Sequence, residues 1–227
     1  MILDDLFKSK ALLHMGCGSC SGGHEELAAA ERVLTKLRIP FDTREFDCGC
    51  SSFAQGDDNE IMKAVEEASG LLGTKKYVIV GCGRCFYLLK HYHKAPVRHI
   101  SQVISERLVA MQISRAARGE VVYHDPCYLA RYGKVIDEPR EVLRALGYKV
   151  LEFGNNREDT DCCGDYTPFP ALRLRMAGMR LEGSPKKKAL ITAACPTCTT
   201  NFEDFNKTSD KKFNIKSFLQ LVDSALG

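Results

Sequence analysis

Short apolar runs and longer amphipathic stretches alternate along the chain. Residues 11–15 form an apolar run of strand length. Residues 24–37 are rich in Glu, Ala and Leu, and they set Leu27, Ala30, Leu34 and Leu37 at helical spacing, which predicts a helix. A strand at 41–46, a helix at 59–72 and a strand at 77–80 follow. That last run, Tyr77-Val78-Ile79-Val80, is continuously apolar, as expected of a strand covered on both faces. Helical stretches are predicted at 86–91 and 199–206. From residue 121 the rhythm begins again: strand 121–124, helix 139–146, strand 149–153, helix 171–181, strand 189–192. Strands alternating with helices predict an α/β fold, with a small, mostly parallel sheet flanked by helices in each of two tandem, pseudo-symmetric halves. The halves are expected at residues 1–118 and 119–227. Sites in such sheets lie at the carboxyl ends of the strands.

The cysteines repeat with the elements. Cys17 is followed by Cys48-Gly49-Cys50 and Cys82-Gly83-Arg84-Cys85; Cys127 is followed by Cys162-Cys163-Gly164 and Cys195-Pro196-Thr197-Cys198. Cys50 to Cys82 and Cys163 to Cys195 are both steps of 32 residues. The earlier steps are 31 and 35 residues. An apolar run leads into each CxxC, and each half closes on a similar amphipathic segment, 99–104 and 214–219. A comparison of the halves at a fixed offset is therefore informative.

The chain has 11 cysteines, an odd number, and no export signal is evident at its amino end. A disulfide framework is disfavoured, and metal or redox chemistry is expected. No apolar run approaches the ~20 residues of a membrane span, so a cytoplasmic location is expected. The formal charge of +3 counts every cysteine as neutral, and metal-bound thiolates would lower it. Lys186-Lys187-Lys188 and Lys211-Lys212 read as solvated faces rather than a nucleic-acid site.

A CxxC opening a helix sets two sulfurs beside free backbone N–H groups, which favours the thiolate. Thioredoxin-type redox chemistry would use one CxxC alone. Tetrahedral zinc needs four ligands, and the second half offers five. Adjacent Cys162 and Cys163 in an extended segment would point to opposite faces, which suits an open cluster or a bridging thiolate better than a compact cube. Gly164 permits a tight turn.

Tyr123-His124-Asp125-Pro126-Cys127, Glu138-Pro139-Arg140, Cys162-Cys163-Gly164, Ala194-Cys195-Pro196-Thr197-Cys198 and Thr200-Asn201-Phe202 resemble the CCG cysteine-rich domain family, which includes the B-type subunit of heterodisulfide reductase. The resemblance implies noncubane [4Fe-4S] clusters, each held by five cysteines, that cleave a disulfide. The second cluster would use Cys127, Cys162, Cys163, Cys195 and Cys198. The first would use Cys17, Cys48, Cys50, Cys82 and Cys85. The first half departs from the pattern with Cys48-Gly49-Cys50 and an extra Cys20, so a cubane cluster or zinc stays open there. His124 is a candidate proton donor during disulfide cleavage, or else orders the cysteine loop. Arg84 and Arg131 could meet an anionic substrate or lie unpaired at the surface. His24 is expected to open the first helix, and His14, His91, His93 and His99 carry no clear signal.

Neither a ferredoxin cysteine run nor a GxGxxG is present. Electrons are therefore expected from ferredoxin-type or flavin-containing partner subunits, through which the chain could associate with a membrane. Three functions stay open: an oxidoreductase subunit that reduces a disulfide or related sulfur substrate, an electron relay of a lactate, glycolate, glycerol-phosphate or quinone-linked complex, and a zinc-stabilised binding module.

Overall fold

The computed structural model describes residues 10–16, 24–72, 77–93, 96–165 and 169–227. Cys17 and Cys20 lie outside the described residues.

The first half runs β1 (Ala11–His14), α1 (His24–Lys36), β2 (Phe41–Thr43), α2 (Cys50–Gln55), α3 (Asp58–Leu72), β3 (Val78–Val80), α4 (Gly83–His91), β4 (Val97–His99) and α5 (Ile100–Ala110). The second runs β5 (Gly119–His124), a π-helical turn (Tyr128–Tyr132), α6 (Glu138–Ala145), β6 (Tyr148–Glu152), a 3-10 turn (Arg157–Asp159), α7 (Pro170–Glu182), β7 (Leu190–Ala193), α8 (Pro196–Thr208), β8 (Asn214–Ile215) and α9 (Phe218–Leu226). Each half builds one four-stranded sheet, in the orders β2-β1-β3-β4 and β6-β5-β7-β8. Every pairing among the described residues is parallel. The α/β class and the pseudo-symmetric doubling expected from the sequence are both present.

The central strands explain the apolar runs. Val78, Ile79 and Val80 are wholly buried, as are Val121, Val122 and Tyr123. Each aliphatic side chain so covered stabilises the fold by roughly 1.5–3 kcal/mol. The predicted strand at 41–46 pairs only over Phe41–Thr43, and the chain then runs as loop to Cys48. β4 ends on the first residue of one stretch read as an amphipathic tail, and β8 falls in the other. They are edge strands of three and two residues, too short to impose a period on the pattern.

The two sheets share one hydrophobic core. The halves also exchange helix contacts: α9 packs on α1, and α5 packs on α6. Polar pairs reinforce both seams. Asp223 meets Arg32 (2.7 Å) and Lys36 (2.8 Å), Ser105 donates to Glu141 (2.7 Å), and Gln102 donates to Glu138 (3.1 Å). Of the basic runs, Lys186 pairs with Glu120, and Lys211 pairs with Glu182 at 2.7 Å. No helix of the described residues is long and apolar enough to cross a membrane.

The strand order reverses between β1 and β3, and again between β5 and β7. At such a reversal the loops leaving two neighbouring strands diverge and open a crevice at the carboxyl ends. Both cysteine groups stand there.

Candidate metal centre

In the second half, β5 ends at His124 and leads through Asp125-Pro126 to Cys127. β7 ends at Ala193, and Cys195 forms the N-cap of α8 in extended backbone, with Cys198 in the first turn. Cys162 and Cys163 lie on the loop after the 3-10 turn. All five line one cavity, joined there by Cys82 from the first half.

The sulfurs form an unbroken run. Thiol hydrogen bonds link Cys127 to Cys162, Cys162 to Cys163, Cys163 to Cys198, Cys198 to Cys195, and Cys195 to Cys82. About 30 Å³ stays open at its centre, room for roughly one water. Every described cysteine is free of disulfides. The expectation that Cys162 and Cys163 would point apart is thus corrected, because their segment is loop rather than strand. Gly164 follows at φ +97°, and a Cβ there would meet the Arg173 carbonyl oxygen at 2.6 Å. The resulting turn brings both sulfurs to one cavity, and the Gly164 N–H donates to Cys162 Sγ at 3.3 Å.

Close packing sets the protonation. Hydrogen bonds from the Cys127 and Cys163 thiols hold Cys162 well below the usual thiol range, against its burial. As the donor to Cys162, Cys127 is pushed up, and burial adds to this. Cys163 rises by donating to Cys162 and by burial, and Cys198 rises through Cys163, Cys195 and burial. Cys195 is raised in spite of a hydrogen bond from Cys198, by the Cys82 thiol and burial. The helix N-terminus was expected to lower the thiols of this CxxC. Crowding by other sulfurs outweighs it, since a buried group cannot readily ionise beside another negative charge. A full set of thiolates here needs cations for neutralisation, so the donor chemistry fits a metal centre.

Buried guanidinium groups fix these loops. Arg140, fully buried on α6, forks onto Asp125 at 2.8 and 2.6 Å and onto Glu152 at 2.8 and 2.7 Å. Asp125 also accepts from the Arg157 N–H at 2.8 Å, and its carbonyl accepts from Thr160 Oγ1 at 2.9 Å. The loop to Cys127 is thereby tied to the segment that enters Cys162. Asn201 on α8 donates to the Cys163 carbonyl. Arg180 donates from Nε to His124 Nδ1 at 3.0 Å and lies over the Phe153 ring at 4.0 Å.

His124 is fully buried, and a ring nitrogen lies within 4.8 Å of the Cys163 and Cys198 sulfurs. Burial and then Arg180 push it down to about 3, so it is neutral at pH 7. Arginine only donates, so Nδ1 accepts and the single ring proton sits on Nε2.

The first half repeats the plan with different support. Cys48 Sγ stands 3.1 Å from Cys85 Sγ, beyond the ~2.05 Å of a disulfide. A ring nitrogen of His14 lies within 4.8 Å of both. His14 ends β1 as His124 ends β5, and it stacks on Phe46 at 4.0 Å. Cys48, rather than Cys50, therefore takes the place of Cys163, although the 32-residue step aligns Cys50. Arg84 Nη1 donates to Cys50 Sγ at 3.3 Å, and Nη2 reaches Asp165 of the second half at 2.7 Å. Arg131 donates to the carbonyls of Glu158 (3.0 Å) and Thr160 (2.7 Å). Both arginines brace cysteine loops rather than standing unpaired. The roles of His14, Arg180 and Asp165 escape a reading of the sequence. The one available signal for His14 is its matching place, three residues before Cys17 as His124 is three before Cys127.

Residues 121–203 match the CCG family, described as a cysteine-rich domain. That segment is similar to the CCG cysteine-rich domain. Nearly the whole chain is similar to the D-type subunit of dihydromethanophenazine:CoB–CoM heterodisulfide reductase from Methanosarcina barkeri. The two are 30% identical over 236 residues, which cover 92% of this chain and 58% of that protein. The sequence motifs by themselves point to the B-type subunit of such a reductase. The chain is also similar to a probable membrane-anchored ferredoxin of Chromohalobacter salexigens (27% identical, 99% of this chain and 37% of that protein). A third relative is the EtfAB:quinone oxidoreductase of Syntrophomonas wolfei (26% identical, 91% and 33%). The chain thus spans under two thirds of the length of these curated relatives. Within the matched segment, Cys127, Cys162, Cys163, Cys195 and Cys198 all meet at one cavity.

Proposed function

We propose that this chain is an iron–sulfur subunit of an oxidoreductase of heterodisulfide reductase type. The observation that carries the reading is the continuous run of thiols at the ends of β5 and β7. Reduced sulfurs in that number suit iron–sulfur ligation. A four-ligand tetrahedral zinc site would leave sulfurs over.

Cys127, Cys162, Cys163, Cys195 and Cys198 would hold the cluster of the CCG domain. Five thiolates exceed one per iron of a cubane, which supports a noncubane [4Fe-4S] form. Cys48, Cys50, Cys82 and Cys85, with Cys17, are the candidates for the first cluster, and His14 with Cys48 and Cys85 would equally suit zinc. A bound cluster supplies one-electron storage and transfer. The protein's own part is to exclude water, fix the loops through Arg140 and Arg180, and hold a proton on His124 Nε2 near the sulfurs. That proton is suited to a hydrogen bond to sulfur, or to donation during cleavage if it is replaced after each turnover.

The reaction we assign is reduction of a disulfide, or a related sulfur substrate, to two thiols by two electrons and two protons. The electrons would come from ferredoxin-type or flavin-containing partners, in the cytoplasm or at a membrane through those partners. A pure electron relay is the second reading. It is favoured by the similarity to a probable membrane-anchored ferredoxin and to an EtfAB:quinone oxidoreductase.

Iron and acid-labile sulfide per chain, measured on anaerobically prepared protein, test the centre. Matching amounts are expected, and zinc without sulfide would refute the reading. Adding the CoB–CoM heterodisulfide to the oxidised protein then separates the two functions. A new paramagnetic signal supports disulfide reduction, and an unchanged spectrum supports the relay.

A further inference from the structure

We propose that Cys82 of the first half is a ligand of the second centre, so that the first CxxC is divided between two metal centres. The assignment rests on the reading that these cysteines hold iron–sulfur centres, and it goes beyond the five-per-half ligand sets.

Three observations converge on Cys82. First, it lines the same cavity as Cys127, Cys162, Cys163, Cys195 and Cys198, whereas Cys48, Cys50 and Cys85 do not. Second, its side-chain partners among the described residues belong to the other half. Its sulfur lies 3.8 Å from Thr197 Oγ1 and is a hydrogen-bonding neighbour of Cys195. Third, the chain beside it is pressed onto the second half. A Cβ at Gly83 would meet Leu129 Cβ and N at 3.1 Å, so the backbone here lies hard against the π-helical turn after Cys127. The Gly83 N–H faces the Cys195 sulfur.

Cys82 and Cys195 hold equivalent places, each the extended N-cap residue of the helix that follows the third strand of its half. They face one another across the boundary. Cys85, in the first turn of the same helix, turns the other way to Cys48. Two residues, Gly83 and Arg84, therefore separate a ligand of one centre from a ligand of the other. The covalent path between the centres is one helical turn.

The test uses the full chain, loaded anaerobically with iron and sulfide and read by Mössbauer and electron paramagnetic resonance spectroscopy. Cys163→Ser identifies the second centre as the component it removes. Cys82→Ser is expected to shift or abolish that same component, and Cys85→Ser to affect the other. Cys82→Ser acting only on the component that Cys85→Ser affects would overturn the proposal. If Cys82→Ser does not fold, selenocysteine carrying a magnetic selenium isotope at position 82 replaces it with near-native shape. Hyperfine broadening of the component that Cys163→Ser removes is then expected, and its absence would count against the assignment. Wild-type chain that takes up no iron and sulfide would instead refute the underlying reading of the centres.

Discussion

The two halves share a strand order and a placement of sulfur, yet they brace their cysteine loops differently. In the second half the residue after the strand-end histidine is Asp125, locked by a buried arginine. In the first half that place belongs to Met15, a buried apolar side chain. Met15 packs so tightly on Gly81 that a Cβ there would lie 2.2 Å from its terminal methyl. One strand end is braced by charge and the other by shape. A common scaffold therefore settles where ligands stand, and local side chains settle how rigidly they are held.

The sharpest way to break the comparison is to remove one thiol from each half. Cys163→Ser is expected to eliminate the second centre completely while leaving the first, and Cys48→Ser to do the reverse. Iron per chain and the paramagnetic spectrum measure both. Loss of both centres in either variant would mean that the halves do not load separately.

Arg140→Met comes next in size. Asp125 would be left buried without its partner, a change that typically costs about 3–5 kcal/mol. Urea unfolding should show it, and a near-neutral result would mean that shape, not charge, also holds the second loop.

Glu26 on α1 gives a smaller, pH-dependent effect at the seam between halves. Burial pushes its carboxyl up to about 7, against a hydrogen bond from Ser217 and with Glu203, Cys195 and Glu25 nearby. The folded state therefore keeps a proton that the unfolded chain releases between pH 4.5 and about 7. Stability from this group is full below that window and falls as pH rises through it, by at most about 1.4 kcal/mol per pH unit. Glu26→Gln should flatten that fall in melting temperature measured across the window.

The smallest effect is expected at the rim. Asp223→Asn breaks contacts to Arg32 and Lys36, whose side chains are 54% and 33% exposed. A loss of no more than about 1 kcal/mol in thermal stability is expected.

The repeat made much of this legible in the sequence. Continuous apolar runs announced β3 and β5, and the doubled cysteine spacing announced two sites at strand ends. What stayed hidden depends on the folded backbone. The Cys162-Cys163 pair reads as extended until Gly164 is seen in a left-handed turn. Cys50 aligns with Cys163 by counting, but the path through Gly49 at φ +78° puts Cys48 beside Cys85. Arg140 belongs to a recognisable motif, but its buried fork to Asp125 and Glu152 joins residues 15 and 12 positions away. No local pattern encodes Arg84 reaching Asp165, because that contact exists only once the halves have docked.

The exchanged helices have a consequence for origin and assembly. The last helix of each half covers the first helix of the other, so one contact is made twice about an approximate dyad. This is the geometry of an isologous dimer, here joined into a single polypeptide. A lone copy would expose two complementary faces, and two such copies could close on each other by the contacts that α1, α5, α6 and α9 make now.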